Sequence, residues 1–221
     1  MMPARSLFHT VAVLFVCSAS AVAAAQQLPA DLDPQSRARL PYLQRQNTDE
    51  SAKPLFDVFV RDSNNPTDQL TGPLAFAAYN IPVARALLDL HDGAVGSPNL
   101  DAHMRELAIL VACRVTNYDL EWNAHVPAAL RAGVDQQVVD IVRSNAALTD
   151  ISEADAAIIR FGRELLAERI MSPATFAKAR ELFGDHGAMD LVAVMSTYAV
   201  SGYFAIAVDQ HMPDDQPRLP R

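Results

Sequence analysis

Two cysteines, Cys17 and Cys113, are the only thiols in this chain of 221 residues. Cys17 falls in an apolar leader, so residues 26–221 keep Cys113 alone. No disulfide can form within that stretch, and a paired-thiol redox centre is excluded. Basic side chains are also scarce. Lys and Arg number 18 against 26 Asp and Glu, a formal net charge of −8, and losing Arg5 with the leader makes it more negative. No basic stripe runs along the chain, which argues against nucleic acid as a partner. There is no glycine-rich phosphate loop, no serine nucleophile elbow and no H-E-x-x-H pair. Alternation of apolar and polar residues nowhere lasts more than a few positions. No Asn-Gly or Asp-Gly turn joins two apolar runs, so strands are not expected. Beyond the leader, no stretch reads as a membrane span.

What is present begins with that leader. Residues 1–25 carry one basic residue, Arg5, then an apolar run from Val11 to Val16 and small residues ending at Ala23-Ala24-Ala25. This is the three-part plan of a cleaved secretory signal peptide. Its apolar part is shorter than the roughly 20 residues a spanning helix needs. The expectation is export, to the periplasm or beyond. Residues 26–71 read as an N-terminal arm with a short helix at 54–60 and a loop at 61–72. Residues 72–210 form one helical domain, and 211–221 a C-terminal tail. Within the domain the pattern predicts helix after helix: 74–79, 82–92 (Val83, Ala86, Leu87 and Leu90 on one face), 102–116, 118–132, 136–145, 153–169, 173–183 and 187–209. Asp101, Asn117, Asp135, Ser152 and Ser172 stand where N-caps belong, Ser152 with Asp155 as a capping box. Pro82 and Pro173 suit first turns, and Gly133 a helix end. The fold class is all-α, a single-domain bundle of about eight helices. Segments 102–113 and 188–208 are apolar around most of their circumference. Such helices belong at the centre of a bundle or at a subunit contact, so a homo-oligomer is expected.

The candidate chemistry sits in YDLEWNAHVPAALRAG, residues 118–133. Glu121 and His125 are four apart and share a helix face about one turn from each other. A carboxylate beside an imidazole orients the ring, selects its tautomer and raises its pKa. The same spacing also serves an exposed ion pair worth a few tenths of a kcal/mol. The apolar neighbours Trp122, Ala124, Val126, Ala128, Ala129 and Leu130 argue for shelter instead, and a sheltered pair is costly unless it is well bonded or used. Glu106, on the preceding helix, shares a face with Leu110 and Cys113. Its alternatives are a catalytic role or a salt bridge to Arg105 or Arg114. Cys113 reads as a small, inert core residue. Glu121, His125 and Glu106 could supply metal ligands, but His91, His103, His186 and His211 stand singly, and neither a metal nor a cofactor is expected.

The segment RELAILVACRVTNYDLEWNAHVPAALRAGVDQQVVDIV, 105–142, resembles the carboxymuconolactone decarboxylase-like family, related to the alkylhydroperoxidase D-like proteins. The likeness runs from about Gly72 to the end of the last helix. Its most specific elements are Arg105-Glu106 and Tyr118-x-x-Glu121-Trp122-x-x-His125, then Ala129 and Gly133. The resemblance implies an all-α fold assembled as trimers or hexamers. The peroxidase branch carries Cys-x-x-Cys, a histidine four residues later and a glutamate on the helix before. His125 and Glu106 match the histidine and the glutamate, whereas Tyr118 and Glu121 occupy the cysteine positions. Dithiol peroxide reduction is therefore not expected, and Cys113 stands at neither position. The decarboxylase branch removes CO2 from a carboxylated lactone. By that resemblance His125 is the proton donor, Glu121 its orienter, and Glu106 a second proton carrier or positioner. Arg105 holds a carboxylate, and Tyr118 and Trp122 contact the substrate. The leader sets this chain apart from a cytoplasmic lactone pathway, so the expected activity is a cofactor-free lyase or isomerase reaction on a small carboxylic acid or lactone. The alternatives are an inactive oligomeric binding or scaffold protein and a residual antioxidant activity through Cys113.

Overall fold

A computed structural model describes residues 28–59, 70–72 and 75–221. The leader expected at 1–25 lies outside these residues, as does most of the loop expected at 61–72. The described chain forms α1 (Lys53–Phe59), α2 (Ile81–Val95), α3 (Ala102–Thr116), α4 (Asp119–Arg131), α5 (Gln136–Ser144), α6 (Glu153–Gly162) and α7 (Pro173–Ala207). Among the described residues no strand forms, and an isolated bridge pairs Asp33 with Ala38. The protein is all-α.

The core is built around α3. Every side chain from Leu107 to Cys113 is buried, and α4, α5, α6 and α7 all pack against this helix. That is why α3 carries apolar residues around its whole circumference. Each leucine- or isoleucine-sized side chain sequestered there contributes about 1.5–3 kcal/mol. On α7, Ala188, Leu191, Val194 and Met195 close the same core. Gly202 lets α7 approach α3 closely: a Cβ there would stand 2.7 Å from Thr116 Oγ1.

Local signals account for most helix ends. Asp101 accepts from the Met104 N–H, Ser152 from Asp155 and Ser172 from Thr175. Gly133 ends α4 with φ 89°. Gly184 (φ 71°, ψ 176°) breaks α7 into arms 173–183 and 185–207, close to the two helices the pattern predicts.

Four details differ from expectation. Asn117 does not cap α4; it ends α3 in the left-handed region, its N–H bonded to the carbonyls of Cys113 and Arg114. Asp135 sits at the N-cap of α5 without a side-chain cap bond. Asp155 does not complete a capping box, because its carboxylate turns to His103, 2.7 Å away. The helix expected at 153–169 is α-helical only to Gly162 and continues as a π-helical turn over Arg163–Glu168.

Most of the apolar stripe predicted for α2 faces outward: Val83, Ala86 and Leu90 are exposed, while Leu87 packs partly buried against the cluster around Phe56. α7 also presents Met189, Tyr203 and Ile206 to the surface. Contrary to the sequence expectation, α7 is long and apolar enough to cross a membrane by length and composition, yet half of the qualifying window is buried within the protein.

Both ends of the described chain are tied to the bundle. The Arg39 N–H donates to Val208 O and the His211 N–H to Arg37 O, while Tyr42 stacks on Phe76. The tail crosses α4 and α5. Asn123 donates to Pro217 O, Arg143 to Arg218 O, and the Leu219 N–H to Asp119 Oδ1 at 2.7 Å. Leu219 itself enters the main core.

Candidate active site

α3 and α4 are joined by a turn at Asn117 and Tyr118, which packs the two helices against each other. One face of α3 delivers Glu106 and the facing side of α4 delivers Glu121 and His125. The imidazole of His125 is bracketed. Its Nδ1 lies 2.8 Å from Glu106 Oε2, and its Nε2 lies 3.3 Å from Glu121 Oε2. The side chains are 19 % (His125), 15 % (Glu106) and 8 % (Glu121) exposed, so the cluster is sheltered but reachable.

Burial by itself disfavours a charged ring. The hydrogen bonds to Glu106 and Glu121, and then the charge of the two carboxylates, outweigh it and push the His125 pKa up to about 9. At neutral pH both ring nitrogens carry protons, and each points at a carboxylate. The site is thus a held imidazolium, a proton donor rather than a ready base.

Tyr198 of α7 completes the wall. Its ring meets the His125 ring edge to face at 5.0 Å and 88°, and the His91 ring lies 6.1 Å beyond. Burial, followed by the charge of Glu121, raises the Tyr198 hydroxyl far above its ordinary range, with Arg105 pulling the other way. The phenol therefore stays neutral. Tyr198 was not found from the sequence: it sits in the most apolar segment, 73 positions from its partner, and nothing local marks it.

The other sequence candidates take different positions. Arg105 Nη1 makes one long contact, 3.5 Å, with Leu100 O, and no ion pair with a carboxylate is seen for it among the described residues. Arg114 bonds Arg143 O and Asn117 Oδ1, so neither arginine pairs with Glu106. Tyr118 is buried, and its hydroxyl has no hydrogen-bond partner. Burial, then the charge of Glu121, lifts that hydroxyl well above its ordinary range. Trp122 packs into the core and lines a surface hollow with Val139 and Arg143. Cys113 is fully buried, and burial with the charge of Glu121 raises its thiol well above the usual value, which suppresses the thiolate. His103, His91 and His211 each face one aspartate, Asp155, Asp92 and Asp209 respectively. Among the described residues no group of three or more His, Cys, Asp or Glu is arranged to hold a metal ion.

Residues 82–164, which contain Glu106, Glu121 and His125, match the model of the carboxymuconolactone decarboxylase family. Over that segment the chain resembles this family. Its bundle is also similar to those of solved structures. One is an alkylhydroperoxidase AhpD core, an uncharacterised peroxidase-related protein from Ralstonia eutropha JMP134. It is 22 % identical with a TM-score of 0.61, over 80 % of this chain and 93 % of that one. Another is an alanine-for-cysteine variant of the debrominase Bmp8, in complex with 2,3,4-tribromopyrrole. It is 13 % identical with a TM-score of 0.61, over 78 % of this chain and 90 % of that one. At these identities the likeness is one of fold. No curated protein matches the chain. Tyr198 lies outside the segment that matches the carboxymuconolactone decarboxylase family, although it forms part of the same site.

Proposed function

We propose that this protein is an exported, cofactor-free lyase or isomerase that moves a proton on a small carboxylated substrate, decarboxylation being the simplest form. The observation that carries this reading is the bracketed imidazolium of His125. Its two contacts are unequal, 2.8 Å to Glu106 and 3.3 Å to Glu121. The Nδ1 side is thus the firmer hold, which assigns Glu106 as the orienting group. Nε2 is the side from which a proton can leave. This reading takes the positioning alternative expected for Glu106 and moves the orienting role from Glu121 to it.

In the reaction, the bond between the substrate carbon and its carboxylate breaks. The electron pair stays on the carbon as CO2 departs. The Nε2 proton of His125 then moves to that carbon, and a proton from water restores the imidazolium. Arg105, which lacks a carboxylate counter-ion among the described residues and whose charge reaches the Tyr198 hydroxyl, would hold a second acidic group or a lactone carbonyl. Tyr198 would wall off the ring from water. A positioned acid of this kind contributes about 10²–10⁴-fold.

The exposed apolar residues of α2 and α7 support assembly into a homo-oligomer, a trimer or hexamer by the family resemblance. The same faces support a second reading, a binding or scaffold protein on this fold that has no turnover. The pattern of residues 1–25 supports export.

The test is CO2 release from a panel of β-keto acids and carboxylated lactones, by the wild type and by His125→Gln. Release by the wild type that falls at least 100-fold in the variant is the expected outcome. Release that survives His125→Gln would sink the mechanism. Binding of an acid that perturbs the His125 resonances without any turnover would favour the scaffold reading.

A further inference from the structure

Tyr198 brings a further polar group to the His125 site. Its ring is held on two sides, by His125 at 5.0 Å and by His91 at 6.1 Å, and only 5 % of the residue is exposed. The hydroxyl oxygen is fixed to that ring, so it lies within the span of one small molecule from the imidazole. It makes no hydrogen bond among the described residues, although the charges of Glu121, Glu106 and Arg105 all act on it. Nor does it count among their buried side-chain atoms left without a partner, which are Arg37 Nε, Tyr118 Oη and Gln210 Oε1. An unpaired hydroxyl that is not buried is one that a ligand atom can reach.

Charge decides what kind of ligand atom it suits. Burial, and then the charge of Glu121, keeps the phenol protonated, so it can donate a hydrogen bond without giving up its proton. The two glutamates are balanced by the His125 imidazolium and Arg105, and Arg105 favours negative charge at the hydroxyl. A neutral donor beside a cation, both in place before the reaction, suits an oxygen that gains negative charge during it.

We infer that the Tyr198 hydroxyl holds the oxygen of an enolate formed at this site, so that the substrate is an acid whose carboxylate leaves from the carbon next to a carbonyl, as in a β-keto acid or a lactone carboxylated beside its carbonyl. This rests on the proton-transfer reading of His125. As the bond to the carboxylate breaks and CO2 departs, the electron pair left on the carbon spreads onto the carbonyl oxygen. The Tyr198 O–H donates a hydrogen bond to that oxygen and keeps its proton. The Nε2 proton of His125 then moves to the carbon, and the carbonyl re-forms.

The experiment uses dimedone, a cyclic diketone that is an enolate at neutral pH and has no carboxylate to lose. Titrated into labelled full-chain protein, it should give saturable shifts of the His125 ring resonances. Dimethylcyclohexanone, the same ring with one neutral carbonyl, should bind at least about tenfold more weakly. Tyr198→Phe keeps the ring against the imidazole and should lose at least about tenfold in dimedone affinity. With a β-keto acid the same variant should lower kcat by about 10²–10³-fold and leave KM nearly unchanged. The inference is overturned if dimedone does not bind, binds no better than the ketone, or binds Tyr198→Phe as tightly as the wild type. The first two outcomes are read on the wild type, so they stand even if the variant fails to fold. The two readings fail separately. CO2 release with an unchanged kcat in Tyr198→Phe overturns the enolate site and leaves the role of His125 standing. Dimedone binding that depends on Tyr198, with no CO2 released from any acid, removes decarboxylation and keeps the enolate site.

Discussion

At the scale of the residue, the question is what two carboxylates do to one imidazole. The His125 pKa stands at about 9 against an ordinary 6.5. A raised histidine pKa means that the folded protein binds the proton more tightly than the unfolded chain does. Its contribution to stability is fully present below about pH 6.5 and declines as pH rises towards 9. Above the folded pKa it is gone. On the order of 3 kcal/mol is at stake. NMR titration of His125 should show a midpoint near 9 in the wild type. The midpoint should fall in both Glu106→Gln and Glu121→Gln, further in the former because its contact is shorter. A midpoint near 6.5 in the wild type would show an exposed, uncoupled ring. The Glu121–His125 half of this cluster was legible in the sequence, because i, i+4 spacing needs only a helix. A part for Glu106 in the site was expected through the family resemblance, as a second proton carrier or positioner, but its contact with His125 was not, and spacing left a salt bridge to Arg105 or Arg114 equally open. Tyr198 was not legible at all.

At the scale of the element, helix termini and helix contacts place these residues. Three of the five caps expected from the sequence form, because an N-cap needs only a short polar side chain and its own next turn. Asp155 departs because a partner from another helix, His103, competes for its carboxylate. Asn117 departs because it tolerates φ 50° and closes α3 instead. Two glycines on α7 give a test of different physics. Gly184 combines φ 71° with ψ 176°, a conformation essentially confined to glycine, and has open space around its missing Cβ. Gly184→Ala should therefore cost about 1–3 kcal/mol through backbone strain alone. Gly202→Ala should cost about as much by another route. Its Cβ would collide with Thr116 and push α7 away from α3. Thermal melts should show both losses. Only Gly202→Ala, four residues from Tyr198, should also shift the His125 titration, and an unchanged His125 midpoint there would separate Tyr198 from the site.

At the scale of the whole molecule, the two ends of the chain bind the bundle from outside. The tail delivers Leu219 into the core and gives Asp119, itself buried, its two partners. Removing residues 217–221 takes away both partners of that carboxylate, at the start of the helix that carries Glu121 and His125, together with the core contacts of Leu219. The truncated protein should melt at a lower temperature, and Asp119→Asn should recover part of the loss. An unchanged melting temperature on truncation would show the tail to be idle. The outward apolar residues Val83, Leu90, Met189, Tyr203 and Ile206 argue for a partner surface. Sedimentation at micromolar concentration should find a homo-oligomer, and Tyr203→Glu should shift it towards monomer. A wild type that sediments as a monomer would remove that proposal and leave those side chains simply exposed.

The sequence by itself determined the all-α class, the order of the helices and the place of the α7 break. Periodicity, caps and glycine act within a few residues, so local chemistry decides them. It also determined that Glu121 and His125 meet, because one turn of one helix brings them together. Only the tertiary structure decided that Glu106 takes the other ring nitrogen, that Tyr198 covers the ring and that His103 claims Asp155. It also decided that Asp119 anchors a tail 100 positions away. Those contacts join separate elements, and their partners are chosen by how the helices pack around α3, which no short stretch of sequence encodes.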